Sequence, residues 1–273
     1  TISTYKMFET DDKIAVAGSG GKDSLSLLHI LTDIEKNFPQ TSVYAITVDE
    51  GIKGYRDEAL KYAAKNCQEL GIKHEIVSFK EMYKITLDEL ADIIRSKEKE
   101  LSPCSYCGVL RRRALNTAAR QIGANKLATA HNLDDETQTI LLNIVHGDTI
   151  RIARVKPVLD SEHPKLIQRV KPFCEVPEKE IALYAYLKKI EFQSIPCPYA
   201  PTALRNDLRK MLNTMEEKHA GTKFAIFRSI ERIRPALETA AERERLRDCK
   251  LCGEPTSGEV CKPCQMLQKL HIL

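Results

Sequence analysis

Two groups of residues have the types and spacing to do chemistry. The first is Gly18-Ser19-Gly20-Gly21-Lys22-Asp23-Ser24, which follows the apolar run Lys13-Ile14-Ala15-Val16-Ala17 and precedes Leu25 to Leu31 at helical spacing. A strand entering such a turn before a helix gathers backbone N–H groups and the positive helix end around one concavity, a fit for phosphate. The loop is neither G-x-x-x-x-G-K-S/T nor G-x-G-x-x-G. The second group is cysteine, present nine times. Cys249-x2-Cys252 and, eight residues on, Cys261-x2-Cys264 form two tight knuckles suited to tetrahedral Zn2+ with no open position, a structural role.

Cys104 and Cys107 make a third knuckle without a nearby fourth, and Cys197, between Pro196 and Pro198, is its plausible third thiolate. Three thiolates suit a 4Fe-4S cluster with one iron left open to carry sulfide. A redox pair, or a persulfide on Cys104 with Cys197 as resolving thiol, are the competing chemistries. Cys67 and Cys174 have no partner spacing and read as small buried residues.

These residues need positioning. Strands are expected at Lys13 to Ala17, Val43 to Val48, His74 to Val77 and Lys126 to Ala130, with helices from Leu25, over Arg56 to Leu70, from about Thr86 and from about Asp134. Such alternation implies an α/β fold with a doubly wound parallel sheet, in which ligands bind beyond the carboxyl ends of the strands. The loops beginning at Ala17, Val48 and Ala130 therefore converge. The last carries Ala130-His131-Asn132-Leu133-Asp134-Asp135-Glu136, where Asp134 or Asp135 can hold Mg2+ bridging phosphates. Each is also suited simply to opening the next helix.

After about Ser161 the sequence turns mainly helical, over Pro177 to Lys189 and Ala203 to Ala241. Expected units are a nucleotide domain at 1–160, a helical extension at 161–245 and a zinc module at 246–273. No internal repeat or low-complexity tract is visible. The chain has 273 residues, 42% of them apolar, and lacks a membrane-length apolar run or an evident signal peptide at Thr1 to Lys6, so a cytoplasmic protein is expected. A reducing compartment favours metal or thiol roles for the cysteines over disulfides. Net charge is only +4, but Ile94 to Arg120 carries seven Lys or Arg against two Glu, including Arg111-Arg112-Arg113. That stretch is either a solvated helix face or a polyanion surface.

The phosphate loop resembles the PP-loop, S-G-G-x-D-S, of the ATP-pyrophosphatase superfamily, which cleaves ATP between the α and β phosphates. With Val48-Asp49-Glu50-Gly51-Ile52, Cys104-Ser105-Tyr106-Cys107-Gly108, the His131 to Glu136 loop, Ile195-Pro196-Cys197-Pro198-Tyr199 and the terminal knuckles, the sequence resembles the TtuA/NcsA family of tRNA 2-thiouridine synthases from about Tyr5 to Cys264, on the archaeal NcsA side. The resemblance implies an adenine nucleotide alpha hydrolase-like fold. It implies ATP-dependent adenylation of the C2 oxygen of a tRNA uridine, and replacement of that oxygen by sulfur.

Carried over, Ala17, Gly18, Ser19, Gly20, Gly21, Lys22, Asp23, Ser24 and Ala130 hold ATP, and Val48 lies near adenine. Asp135 serves Mg2+ and catalysis with Lys22 and Arg111. Cys104, Cys107 and Cys197 ligate the cluster, and Cys249, Cys252, Cys261 and Cys264 hold Zn2+. Arg112, Arg113, Arg205, Arg209 and Lys210 are candidate tRNA contacts. Free sulfide or a ubiquitin-like sulfur-carrier protein supplies sulfur, and the family is usually homodimeric. Family members commonly begin with a further Cys-rich zinc module that is not seen before Tyr5, so the chain is expected to be a fragment or to have lost it. Of tRNA positions 34 and 54, 34 is favoured because the composition shows no thermophilic excess of ion-pairing charge. Two rivals are a PP-loop ligase acting on a small molecule and a non-catalytic tRNA-binding scaffold.

Overall fold

The computed structural model describes residues 1–96, 101–159, 161, 163–199, 204–240 and 246–273. Residues 97–100 of the basic stretch, and both ends of the helical segment expected from Ala203 to Ala241, lie outside the described residues.

The chain opens as strand β1 (Lys13–Ala17), helix α1 (Lys22–Glu35), β2 (Ser42–Asp49), α2 (Arg56–Leu70) and β3 (Lys73–Ser78). Helices α3 (Phe79–Tyr83), α4 (Leu87–Arg95) and α5 (Pro103–Gln121) then lead to β4 (Lys126–Ala128) and α6 (Leu133–Val145). There follow α7 (Thr149–Ala153), β5 (Val158–Leu159), β6 (Gln168–Val170), α8 (Glu178–Leu187), α9 (Leu204–Lys218) and α10 (Thr222–Ala240). A small hairpin, β7 (Arg247–Asp248) and β8 (Pro255–Thr256), precedes α11 (Lys262–Lys269).

The main sheet runs β3-β2-β1-β4-β6-β5, all neighbours parallel except the edge pair β5 and β6. The chain thus leaves β1 toward one edge and returns at β4 on its other side, a topological switch point that opens a crevice between the two strand ends. Side chains alternate across the sheet: Ile14 and Val16 pack with Leu27, Leu28, Leu31 and Ile140, whereas Ala15 packs with Ala118, Ala119 and Leu127. One face is therefore covered by α1 and α6, the other by α5. Cys67 and Cys174 belong to the first core at 2% and 0% exposure, and burial pushes the Cys67 thiol up to about 11.

Two expectations about the second half change. The strand pattern was expected to fade after Ser161, yet β6 at 168–170 pairs with β4, so the boundary drawn at 160 falls inside the sheet. Strands of two and three residues are too short to show a period of two. The helical stretch from Ala203 is two helices, divided near Gly221, whose φ of +91° suits glycine.

Candidate functional site

The phosphate loop is held open by its own side chains. Ser24 Oγ accepts from the Ser19 N–H and hydroxyl, both at 3.0 Å, and donates to the Gly21 carbonyl at 3.0 Å. Arg56, from α2, donates to the Ser19 carbonyl at 2.8 Å, and the Gln193 N–H donates to Gly20 at 2.9 Å. Gly20 has φ +83°, and a Cβ there would lie 2.3 Å from the Ala59 carbonyl oxygen. The loop therefore presses against α2 at a position only glycine fits.

The cavity beside it has a volume of about 270 Å3, with walls from Gly18, Ser19, Asp23, Val48, Ala130 and Asp135. The three loops expected to converge do so here. Asp23 and Asp135 face it, and burial raises both carboxyl pKa values against the pull of Lys22 and Arg205 respectively. Asp23 Oδ1 is buried with no hydrogen-bond partner among the described residues. A buried, orphaned carboxylate oxygen beside a phosphate loop is what a hard divalent cation or its water would satisfy. Asp134 points elsewhere: it accepts from the Glu178 N–H at 2.8 Å and pairs with buried Lys223. Asp135 is also N3 of a capping box with Asn132, so one carboxylate both starts α6 and lines the crevice.

Lys22 is held by Glu178 at 2.6 Å and Asp23 at 3.2 Å; burial lowers its pKa, and these carboxylates outweigh that and raise it. Glu178 also receives Arg209 at 2.5 Å, while Arg205 lies 3.5 Å from Asp135. Lys210, beside Arg209 on α9, is exposed.

Cys104, Cys107 and Cys197 interact electrostatically with one another, but their sulfurs do not gather within 4.8 Å as the terminal four do. Cys104 and Cys107 lie in the first turn of α5, where Pro103 fits the helix start, and Cys107 and Cys197 join the same apolar cluster as Tyr199. The Cys104 thiol donates to the Tyr199 carbonyl. Burial raises all three thiols, Cys107 to about 12, and Cys197 feels Cys104, Glu50 and Arg111 electrostatically. Buried Glu50 pairs with Arg56 at 2.9 Å and Arg111 at 3.5 Å, and all three line the nucleotide cavity. Glu50 and Arg111 therefore couple the thiols electrostatically to the nucleotide crevice.

Cys249, Cys252, Cys261 and Cys264 place their sulfurs within 4.8 Å of one another, with Cys252 and Cys261 at 3.5 Å. Four thiolates so spaced fit one tetrahedral ion with Zn–S bonds near 2.3 Å. Burial raises the Cys249 thiol, but N–H donors from Cys261, Leu251 and Cys252 overcome this and bring it to about 6, favouring the ligating thiolate. Arg113 is turned toward this set, its guanidinium 3.7 Å from Cys264 Sγ and 3.8 Å from Cys261 Sγ. Arg111 faces the nucleotide cavity, whereas Arg112 lines a second cleft that Arg113 also borders.

Sequence reasoning passed over Glu50, Arg56 and Glu178. Glu50 had a signal, lying two residues beyond Val48 in a loop known to face the crevice. Glu178 had none, since 156 residues separate it from Lys22.

The model of the PP-loop domain family matches residues 2–216. Cytoplasmic tRNA 2-thiolation protein 1 of Chlamydomonas reinhardtii is 41% identical over 275 residues, covering 99% of this chain and 75% of that one. The tRNA 2-thiolation protein NcsA of Haloferax volcanii is 37% identical over 264 residues, 93% and 81% of the two chains. The solved U34-tRNA thiolase NcsA from Methanococcus maripaludis, with its 4Fe-4S cluster, superposes with a TM-score of 0.83 at 35% identity, covering 97% of this chain and 83% of that one. On this fold, crevice and degree of identity, the chain belongs to the PP-loop family of tRNA 2-thiolation proteins.

Proposed function

We propose that this protein is an ATP-dependent tRNA uridine 2-sulfurtransferase acting at position 34. The observation that carries the reading is the pair Glu50 and Arg111, which line the nucleotide cavity, form an ion pair at 3.5 Å and act electrostatically on Cys107 and Cys197. Activation by ATP and delivery of sulfur then occur on one bound base.

The C2 oxygen of uridine attacks the α-phosphorus of ATP and pyrophosphate leaves; sulfide then adds to C2 and AMP departs with the original oxygen. A urea-type carbonyl resists substitution until its oxygen becomes such a leaving group. The loop N–H groups and Lys22 hold the phosphates, Val48 borders the adenine, and Asp23 and Asp135 are the ligands suited to Mg2+. Lys22 must leave Glu178 to do so, and a phosphate is the stronger draw for it. Arg111 reaches the α-phosphate or the base. Cys104, Cys107 and Cys197 would hold a 4Fe-4S cluster, which supplies an iron free to carry sulfide. Cys249, Cys252, Cys261 and Cys264 would hold Zn2+ in a closed structural site. Two relatives support the tRNA substrate by what they are named for, and the solved one also supports position 34.

The reading extends to a homodimer in the cytoplasm, fed by sulfide or a ubiquitin-like sulfur carrier. No helix among the described residues is long and apolar enough to cross a membrane.

The test is anaerobic incubation of the iron- and sulfide-reconstituted protein with ATP, sulfide and an unmodified tRNA transcript. Expected are 2-thiouridine in the nucleoside digest, AMP in equal amount, and loss of both with Cys197→Ala together with loss of the cluster's visible absorption. AMP and pyrophosphate formed equally well without tRNA, and no thionucleoside, would favour the small-molecule ligase.

A further inference from the structure

Behind the nucleotide crevice, on the far side of α5, lies a second cleft of about 680 Å3 between α5, α7, β6 and the zinc module. Its charged walls are Arg112, Arg113, Arg151, Arg154, Arg169 and Lys262, with Glu254 the one acid among them. Like charges gathered from four separate elements repel one another unless something neutralises them. Arg151 has a counterion in Asp148 at 3.2 Å, and Glu254 is gripped by Arg120 at 2.6 Å, so it is Arg112, Arg169 and Lys262 that make no ion pair among the described residues. Arg169 Nε is buried and has no hydrogen-bond partner among the described residues. Burial and the neighbouring Arg112 bring the Arg169 guanidinium down to about 10, the mark of a cation lacking a counterion.

We propose that this cleft binds the phosphodiester backbone of the substrate RNA, as a site separate from the nucleotide crevice and completed by the zinc module. Planar guanidinium groups suit phosphate oxygens, which accept two parallel N–H bonds. The cleft exceeds what one small anion fills, and its cations are spread along it, as a strand of phosphates requires. Its position fits the chemistry. Arg111 lines the nucleotide crevice and Arg112 the cleft, so the two sites lie about 100° apart around α5. Backbone anchored in the cleft leaves an adjoining nucleotide free to pass over α5, and a base must leave its stack to react. Lys262 opens α11 and projects from the zinc module, which gives that module a share in the site.

The inference rests on the reading that RNA is the substrate. Arg112, Arg151, Arg154 and Lys262 are exposed, so their replacement leaves the core intact. The reconstituted full chain is titrated with fluorescent unmodified tRNA transcript at several salt concentrations, for the wild type, Arg151→Gln/Lys262→Gln and Arg169→Gln. Binding of a non-hydrolysable ATP analogue and the zinc content confirm that each variant is folded. Each variant should bind tRNA at least roughly tenfold more weakly, with the log–log salt slope reduced by about one per cation removed. Wild-type affinity and slope in both variants, against salt-dependent binding by the wild type, would overturn the cleft while leaving the function standing. No tRNA binding by the wild type would instead bring down the function on which it rests. Stronger competition by polyglutamate than by tRNA of equal charge, lost in the variants, would assign the cleft to an acidic protein and overturn the proposal.

Discussion

Adjacent carboxylates can have opposite duties. Asp134 and Asp135 are indistinguishable in the sequence, both in the first turn of α6, yet a rotation of about 100° between consecutive helical residues sends one to a buried lysine and the other to the crevice. Asp135→Asn should lower the rate of tRNA-dependent pyrophosphate release by about a hundredfold or more, since it removes charge beside the reacting phosphate. Its melting temperature should change little. Asp134→Ala should do the reverse, costing about 3–5 kcal/mol of stability by stranding the Lys223 ammonium in the interior. Thermal unfolding and pyrophosphate assays on both variants read the contrast. The motif told which loop mattered but not which carboxylate, because only the packing of α8 and α10 against α6 decides where Asp134 goes.

Elements were legible where their period was long. β1 and α2 run over Lys13–Ala17 and Arg56–Leu70, as apolar spacing and the flanking loops indicate. β5 and β6, with two and three residues, were not: β4 is as short as β6 but sits in the apolar run Leu127-Ala128-Thr129-Ala130 before a helix, whereas Gln168-Arg169-Val170 has no such run and owes its strand to pairing with β4. The phosphate loop was legible for a further reason: its glycines have a steric purpose. Gly20→Ala places a methyl against the backbone of α2 in a left-handed conformation, costing about 1–2 kcal/mol from the dihedral alone and more from the clash. The expected outcome is a lowered melting temperature and at least tenfold weaker binding of an ATP analogue by calorimetry.

At the scale of the molecule, the four-cysteine module is a small unit with little core of its own. Met266, Leu267 and Leu270 of α11 pack with Tyr106 and Leu110 of α5, so the module borrows its apolar burial from the nucleotide domain. Removing the metal with a chelator should unfold 246–273 and open it to protease, since ligand binding supplies the folding free energy of such knuckles. ATP-analogue binding should persist, because no module residue lines the nucleotide cavity. Intact-mass analysis of the digest and calorimetry report the two outcomes. Two knuckles four residues long sufficed to foresee the module, whereas its dependence on α5 is a matter of which surfaces meet and leaves no trace in spacing.

Helix α5 carries Cys104 and Cys107 near its start and then fans Arg111, Arg112 and Arg113 toward the nucleotide cavity, the arginine cleft and the terminal cysteines. Three destinations a third of a turn apart make this helix a key whose teeth share one shaft. Replacing Arg111 affects the first lock alone, whereas Arg113 borders both the cleft and the thiolates. Adding or deleting one residue between Cys107 and Arg111 rotates every later tooth by about 100°, so the segment can vary in composition but not in length.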